Sequence, residues 1–203
     1  MSTVLATSFI HSGDLIAVLY IIAFSLFIYG LSGLTGPRTA VRGNRIAAVG
    51  MGIALLASFL IEGMGNWTLI IIALIIGTII GIPSARSVKM TAVPQMVALF
   101  NGVGGGAVAL IAWAEFNDSA GFAGEPLTFV IPSLFAAIVG SVSFWGSNIA
   151  FAKLQEILPG HPIGAGRLQQ PLNLLLLLIA VGSAVAIASG ETATIYILVL
   201  LVA

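Results

Sequence analysis

The seven basic residues of this 203-residue chain fall only in alternate gaps between long apolar runs. Arg38, Arg42 and Arg45 follow the first run, Arg86 and Lys89 the third, and Lys153 and Arg167 the fifth. The intervening gaps carry acids without a single base. Asp14 precedes the first run, Glu62 follows the second, Glu115, Asp118 and Glu125 follow the fourth, and Glu191 follows the sixth. Short loops bearing Lys and Arg stay on the cytoplasmic side of a membrane, so this alternation predicts a polytopic protein with its N-terminus outside.

Composition bears on the same point. With 59% apolar residues, 7% charged residues and a mean hydropathy of +1.16, the chain has too little polar surface to cover a soluble globule. Net charge is zero and no basic block occurs, so no nucleic-acid partner is expected. Without cysteine there is neither a disulfide framework nor a thiolate metal site. The first fourteen residues lack a basic n-region, so the first run reads as a retained span rather than a cleaved signal.

A bilayer core of about 30 Å needs roughly 20 helical residues. Spans are expected near Leu15–Leu34, Ile46–Glu62, Trp67–Ile82, Pro94–Ala114, Leu127–Phe151 and Pro171–Ser189. A seventh run begins near Thr192 and reaches Ala203 after about half a membrane thickness. It reads as the start of a further span in a truncated chain. Spans of a lipid-facing barrel would alternate in segments of about ten residues, which these runs do not. The expected fold is therefore an all-α transmembrane bundle of six complete spans plus the start of a seventh.

Small residues recur at helical spacing. Gly77 and Gly81 form one GxxxG, Gly102 and Gly106 another, and Gly140, Ser143 and Ser147 share a face of the fifth span. Such stripes let helix backbones approach where lipid supplies no hydrophobic drive, and packing is the ordinary reading of all of them. Pro132 and the glycine run are places where a helix could break. The longest gap, Lys153–Gln170, is punctuated by Pro and Gly and could bury no core. His161 within it, and His11 before the first span, read as surface residues.

Ionisable groups inside the bilayer are the usual functional candidates, and the spans hold almost none. The GVGGGA run at Gly102–Ala107 misses the GxGxxG spacing and follows no strand, so it is not a dinucleotide loop. What remains are intramembrane amides, Asn101 and Asn148, with Ser141, Ser143 and Ser147 near the second. An amide in hydrocarbon either bonds a neighbouring helix or, because it both donates and accepts, anchors a file of water. It cannot itself titrate near neutral pH. On residue type alone both uses stay open.

The stretch SVKMTAVPQMVALFNGVGGGAVALIAW (Ser87–Trp113) resembles the membrane domain of the beta subunit of proton-translocating NAD(P) transhydrogenase. GPRTAVRGNRIAAVGMGIA (Gly36–Ala54), SFWGSNIAFAKLQ (Ser143–Gln155) and the following LPG and PLN loop are similar to that family in the same order. The resemblance implies a part of an enzyme that couples hydride transfer between NADH and NADP+ to proton movement across a bacterial inner membrane. It implies an alpha subunit as partner, a dimer of protomers, and an NADP(H)-binding domain C-terminal to the membrane domain, absent from this chain. Residues 1–203 would then be an incomplete proton-translocating domain that binds no cofactor. NAD(H) and NADP(H) would be held elsewhere in the complex.

Site residues carry over where the strings match. The family's proton-path position in the fourth span, histidine in some members and asparagine in others, is Asn101 here. Ser147 matches a serine lining the same path, and Arg86 and Lys89 fall in a short loop that would face the soluble domains. With asparagine at position 101, the titrating group must be another side chain or the water file itself. Two other classes remain to be weighed: a secondary transporter, which an inverted repeat or broken helices would favour, and a purely structural membrane subunit, distinguished by a dry Asn101–Ser147 region.

Overall fold

A computed structural model describes residues 12–161 and 166–202. His11 therefore lies outside the described residues, as does part of the long fifth gap. The described chain is helical, with helices α1 (Gly13–Gly33), α2 (Ala40–Phe59), α3 (Trp67–Ser87), α4 (Val93–Asp118), α5 (Leu127–Leu154), α6 (Gln169–Ala188) and α7 (Thr194–Val202). Among the described residues, six helices are long and apolar enough to cross a membrane, one for each expected complete span. The chain divides into two compact units, Met1–Ile79 and Ile80–Ala203, with the boundary inside α3.

In the first unit, α1 opens at Ser12, whose hydroxyl accepts the Leu15 amide at 3.4 Å, with Asp14 in the first turn where the helix dipole favours an acid. The expected second span starts at Ile46, whereas α2 starts six residues earlier and takes Arg42 and Arg45 into its opening turns. The cause is a tight connection: the Thr39 hydroxyl donates to the Gly33 carbonyl at 2.6 Å and closes the turn early. The other end of α2 is Phe59, so Glu62 lies beyond the helix rather than at its last turn.

The α1–α2 pair is closed by glycine. A Cβ on Gly30 would stand 2.8 Å from the Gly43 carbonyl oxygen, and one on Gly50 would stand 2.9 Å from that of Ala23. Both are distances that real Cβ atoms do not show, so backbone lies directly on backbone. Ala23 and Ala57 are fully buried in this contact. At one end of the pair Tyr20 and Ser58 share a hydrogen bond of 2.8 Å.

Helix α3 runs through Pro83 to Ser87, five residues past its expected end, so Arg86 sits in its last turn and only Lys89 in the connection that follows. In the second unit, a 3-10 turn at Met90–Ala92 leads into α4, with Pro94 in the first turn, where its missing N–H is no loss. The 26 residues of α4 measure about 39 Å at 1.5 Å per residue, more than the hydrocarbon core, and its end carries Glu115 and Asp118. Neither the glycine run in α4 nor Pro132 in α5 interrupts its helix.

The core of this unit gathers Ala112 and Phe116 of α4, Val130, Leu134 and Ala137 of α5, Ala180 and Ile187 of α6, and Ile197 and Leu200 of α7. Phe122, in the turn between α4 and α5, packs edge-on against Phe116 with ring centres 5.6 Å apart. That turn needs Gly121, whose φ of +86° suits glycine and whose absent Cβ would meet Thr192 at 2.7 Å. Helix α7 is tied to α5 where the Ser141 hydroxyl and the Trp145 indole both donate to the Leu201 carbonyl, at 2.7 and 3.1 Å.

Candidate functional site

Two small-residue faces meet along α4 and α5. The face expected on α5, Gly140, Ser143 and Ser147, lies against Gly102, Gly105 and Ala109 of α4. A Cβ on Gly105 would stand 2.7 Å from the Ser143 Cβ and 2.8 Å from the Gly140 oxygen. A Cβ on Gly140 would stand 2.7 Å from the Gly105 oxygen, and one on Gly102 would stand 3.2 Å from the Ser147 Cβ. The space that the glycines open beside α4 is thus taken up by α5 itself. A Cβ on Gly106 would stand 2.8 Å from the Phe144 ring, while one on Gly104 would meet nothing within 4 Å.

Asn101 stands at one end of this seam. Its amide nitrogen donates to the Ser147 hydroxyl at 2.8 Å and to that of Ser143 at 3.3 Å. The two serines can share one amide because they are four residues apart on a helix and so lie one above the other. The arrangement requires Gly102 and Gly105: only without side chains there can α4 come near enough for a short Asn side chain to span the gap. Ser147 is 9% exposed, whereas Asn101 is exposed within this chain.

The chemistry follows from the donor inventory. The amide has two hydrogens, one for each serine, which leaves its carbonyl oxygen free to accept. A hydroxyl both donates and accepts, so the same three residues also close with the amide reversed and both serines donating. The cluster therefore holds a hydrogen-bond network that can invert its polarity without moving the backbone. It has no group that takes up a proton near neutral pH.

The structure brings together Asn101 and Ser147, the two proton-path residues singled out from sequence, and adds Ser143, which had been read as part of a packing stripe and as a neighbour of Asn148. The i, i+4 spacing of Ser143 and Ser147 was the available signal. Asn148, the other intramembrane amide, turns instead to its own helix and donates to the Phe144 carbonyl at 2.8 Å. Arg86 and Lys89 are exposed and stand outside the cluster. Another amide pair escaped notice altogether. Gln95, near the start of α4, receives the Gln155 amide at 3.0 Å and donates to the Leu154 carbonyl at 2.7 Å, which fastens the two helices at that end. Among the described residues no group of three His, Cys, Asp or Glu could hold a metal.

Comparison with known proteins bears on nearly the whole chain. The family model for the NAD(P) transhydrogenase beta subunit matches residues 16–203. Two relatives, both described as NAD(P) transhydrogenase subunit beta, come from Rhodospirillum rubrum and from a named strain of that species. Each is 40% identical over 149 residues, covering 71% of this chain. The matched region is 32% of each relative, so the chain spans about a third of the length of the proteins it matches. The match takes in α1 from Ile16 onward and α2 to α7 whole, the Asn101 cluster included, and the chain belongs to the NAD(P) transhydrogenase beta subunit family.

Proposed function

We propose that this chain forms membrane spans of a transhydrogenase that couples hydride transfer between NADH and NADP+ to proton movement, and that Asn101 and Ser147 line the proton path. The observation that carries the reading is the hydrogen-bonded cluster of Asn101, Ser143 and Ser147 set into a glycine seam between two membrane-length helices. A polar cluster there has a cost in hydrocarbon that simple packing does not require. Its ability to reverse polarity suits a file of water, in which each passing proton leaves the donors and acceptors inverted. Asn101 organises the file, and the titrating group lies in another side chain of the complex or in the water.

In this reading the N-terminus is outside, and Arg86 and Lys89 face the cytoplasm, where soluble nucleotide-binding domains would dock. NAD(H) and NADP(H) are bound by other parts of the complex, which includes an alpha subunit, and the complex is a dimer of protomers in a bacterial inner membrane. Hydride transfer then takes place away from the lipid, so nucleotide occupancy must reach the cluster as a change of conformation that alters its access to either side.

The test uses the chain completed with its downstream sequence and co-expressed with the alpha subunit in membrane vesicles. Reduction of an NADP+ analogue by NADH is followed together with a pH-sensitive dye. Hydride transfer should move protons across the vesicle membrane and should slow against an opposing gradient. An assembled complex that transfers hydride with no response to the gradient would remove the proposed role of this domain.

A further inference from the structure

The end of the α1–α2 hairpin carries a positive field with nothing in the hairpin to answer it. Arg38 lies in the connection, and Arg42 and Arg45 lie a turn apart at the start of α2. Between Asp14 and Glu62 the sequence has no acidic residue. A helix start favours acids, yet α2 has none in its first turn, and Thr39 makes no side-chain cap there. The three arginines and the helix dipole therefore reinforce one another.

One of them, Arg42, lines a shaped recess. A groove of about 290 Å³ is lined by Tyr29, Ser32 and Gly33 of α1 and by Thr39, Arg42 and Ile46 on the α2 side. The hydroxyls of Ser32, Thr35 and Thr39 already donate to the carbonyls of Tyr29, Ser32 and Gly33, at 2.7, 2.9 and 2.6 Å. The donors left for a ligand are the Arg42 guanidinium and the Tyr29 phenol. A planar fork of N–H groups beside a phenol matches the oxygens of a phosphodiester. Basic residues that only set topology require charge in the loop; they do not require a recess.

The surroundings of the groove select the source of that phosphate. Ile46 is itself part of the lining, and both walls belong to helices long and apolar enough to cross a membrane. A ligand with its anionic group against Arg42 and a hydrocarbon body along these apolar helices meets both surfaces at once. We infer that the Tyr29–Arg42 groove is a binding site for the headgroup phosphate of an anionic membrane phospholipid. Basic recesses between membrane helices recognise such headgroups by the same combination of fixed charge and interfacial position. The inference does not depend on what the Asn101 cluster does.

The experiment uses the full-length chain purified with its partner subunit in detergent, and reads thermal stability while lipid is added. Phosphatidylglycerol should raise the melting temperature in a saturable way, and phosphatidylcholine should not. Arg42→Gln should shift the phosphatidylglycerol titration to about fivefold higher concentration, from roughly 1 kcal/mol for one arginine near an anionic surface. Arg167→Gln, which removes the same charge elsewhere, should leave the titration unchanged. Should Arg42→Gln fail to assemble, Arg42→Lys keeps the charge, loses the fork and should still shift the titration to higher lipid concentration than the parent needs. Equal titrations in the Arg42 and Arg167 variants would overturn the site, as would an equal effect of phosphatidylcholine. Inorganic phosphate that reproduces the full shift would replace the lipid by a free anion and overturn the inference as stated.

Discussion

The α1–α2 and α4–α5 pairs close by the same device and differ in what they place inside it. In both, glycines bring one backbone onto the other: Gly30, Gly43 and Gly50 in the first, Gly102, Gly105 and Gly140 in the second. In the first pair the fully buried side chains at the contact are alanines, and a hydrogen bond between side chains, Tyr20 to Ser58, joins a phenol to a hydroxyl. In the second pair the glycines hold an amide between two hydroxyls. Close packing explains the first pair entirely. For the second, packing explains the glycines and leaves the amide unexplained. The lesson is that glycine spacing reports proximity, and only the residue placed at the point of proximity reports function.

The largest effect should come from filling either seam. Gly43→Val would push a side chain into the Gly30 carbonyl, 2.5 Å from an ideal Cβ, and Gly105→Val would meet both Ser143 and Gly140. Neither clash involves a flexible side chain that could swing away, so each should cost at least the ~1–3 kcal/mol of core overpacking. Both variants should lose melting temperature in detergent and accumulate poorly in membranes. A Gly105→Val complex as stable as the parent would show that the α4–α5 contact is looser than described.

Asn101→Leu separates the two seams by function. It removes the amide but keeps the branched shape, and bonds between membrane helices average about 0.6 kcal/mol, so assembly should survive. Proton-linked transhydrogenation should fall by two orders of magnitude or so if a donor-acceptor network is broken at a transport step, each tenfold corresponding to about 1.4 kcal/mol of barrier. Tyr20→Phe is the matched control, since it breaks the bond to Ser58 at similar cost in stability and should leave activity alone. Comparable losses of activity from both changes would erase the distinction between the pairs.

Ser147→Ala should have an intermediate effect. It removes the 2.8 Å acceptor but leaves the Ser143 hydroxyl and the Cβ that packs on Gly102. A loss of activity several-fold smaller than for Asn101→Leu is expected, with the melting temperature nearly unchanged. Ser147→Ala and Ser143→Ala combined should approach the Asn101→Leu value, because the three residues act as one network and their effects are not additive.

Much of this was legible in the sequence because a bilayer imposes so few solutions. Loop charges and run lengths located six membrane-length helices, since a segment in lipid must satisfy its own backbone. Helix ends were less legible where water begins. Arg42, Arg45, Arg86, Glu115 and Asp118 lie on helices that continue past the apolar run, because charge marks the edge of the hydrocarbon and not the end of the helix. In the site, Asn101 and Ser147 stood out by residue type and by the family resemblance. Ser143 and the Gln95–Gln155 pair did not, because their importance depends on which face of α4 meets α5. Periodicity along one helix does not supply the register between two.

The smallest expected effect concerns a glycine pair that looks like the others in sequence. Gly77 and Gly81 repeat the GxxxG spacing on α3, yet a Cβ at either position would meet no heavy atom within 4 Å among the described residues. By spacing alone, Gly77→Ala should be as harmful as a change in either seam. By geometry it should be neutral, or stabilising by up to about 1 kcal/mol, because alanine is the better helix former. A melt of the assembled complex decides between these. A loss of several degrees would mean that α3 meets another helix of the complex along Gly77, and that this pair too works by backbone approach. An unchanged or higher melting temperature would show that spacing without a facing partner carries no structural weight here.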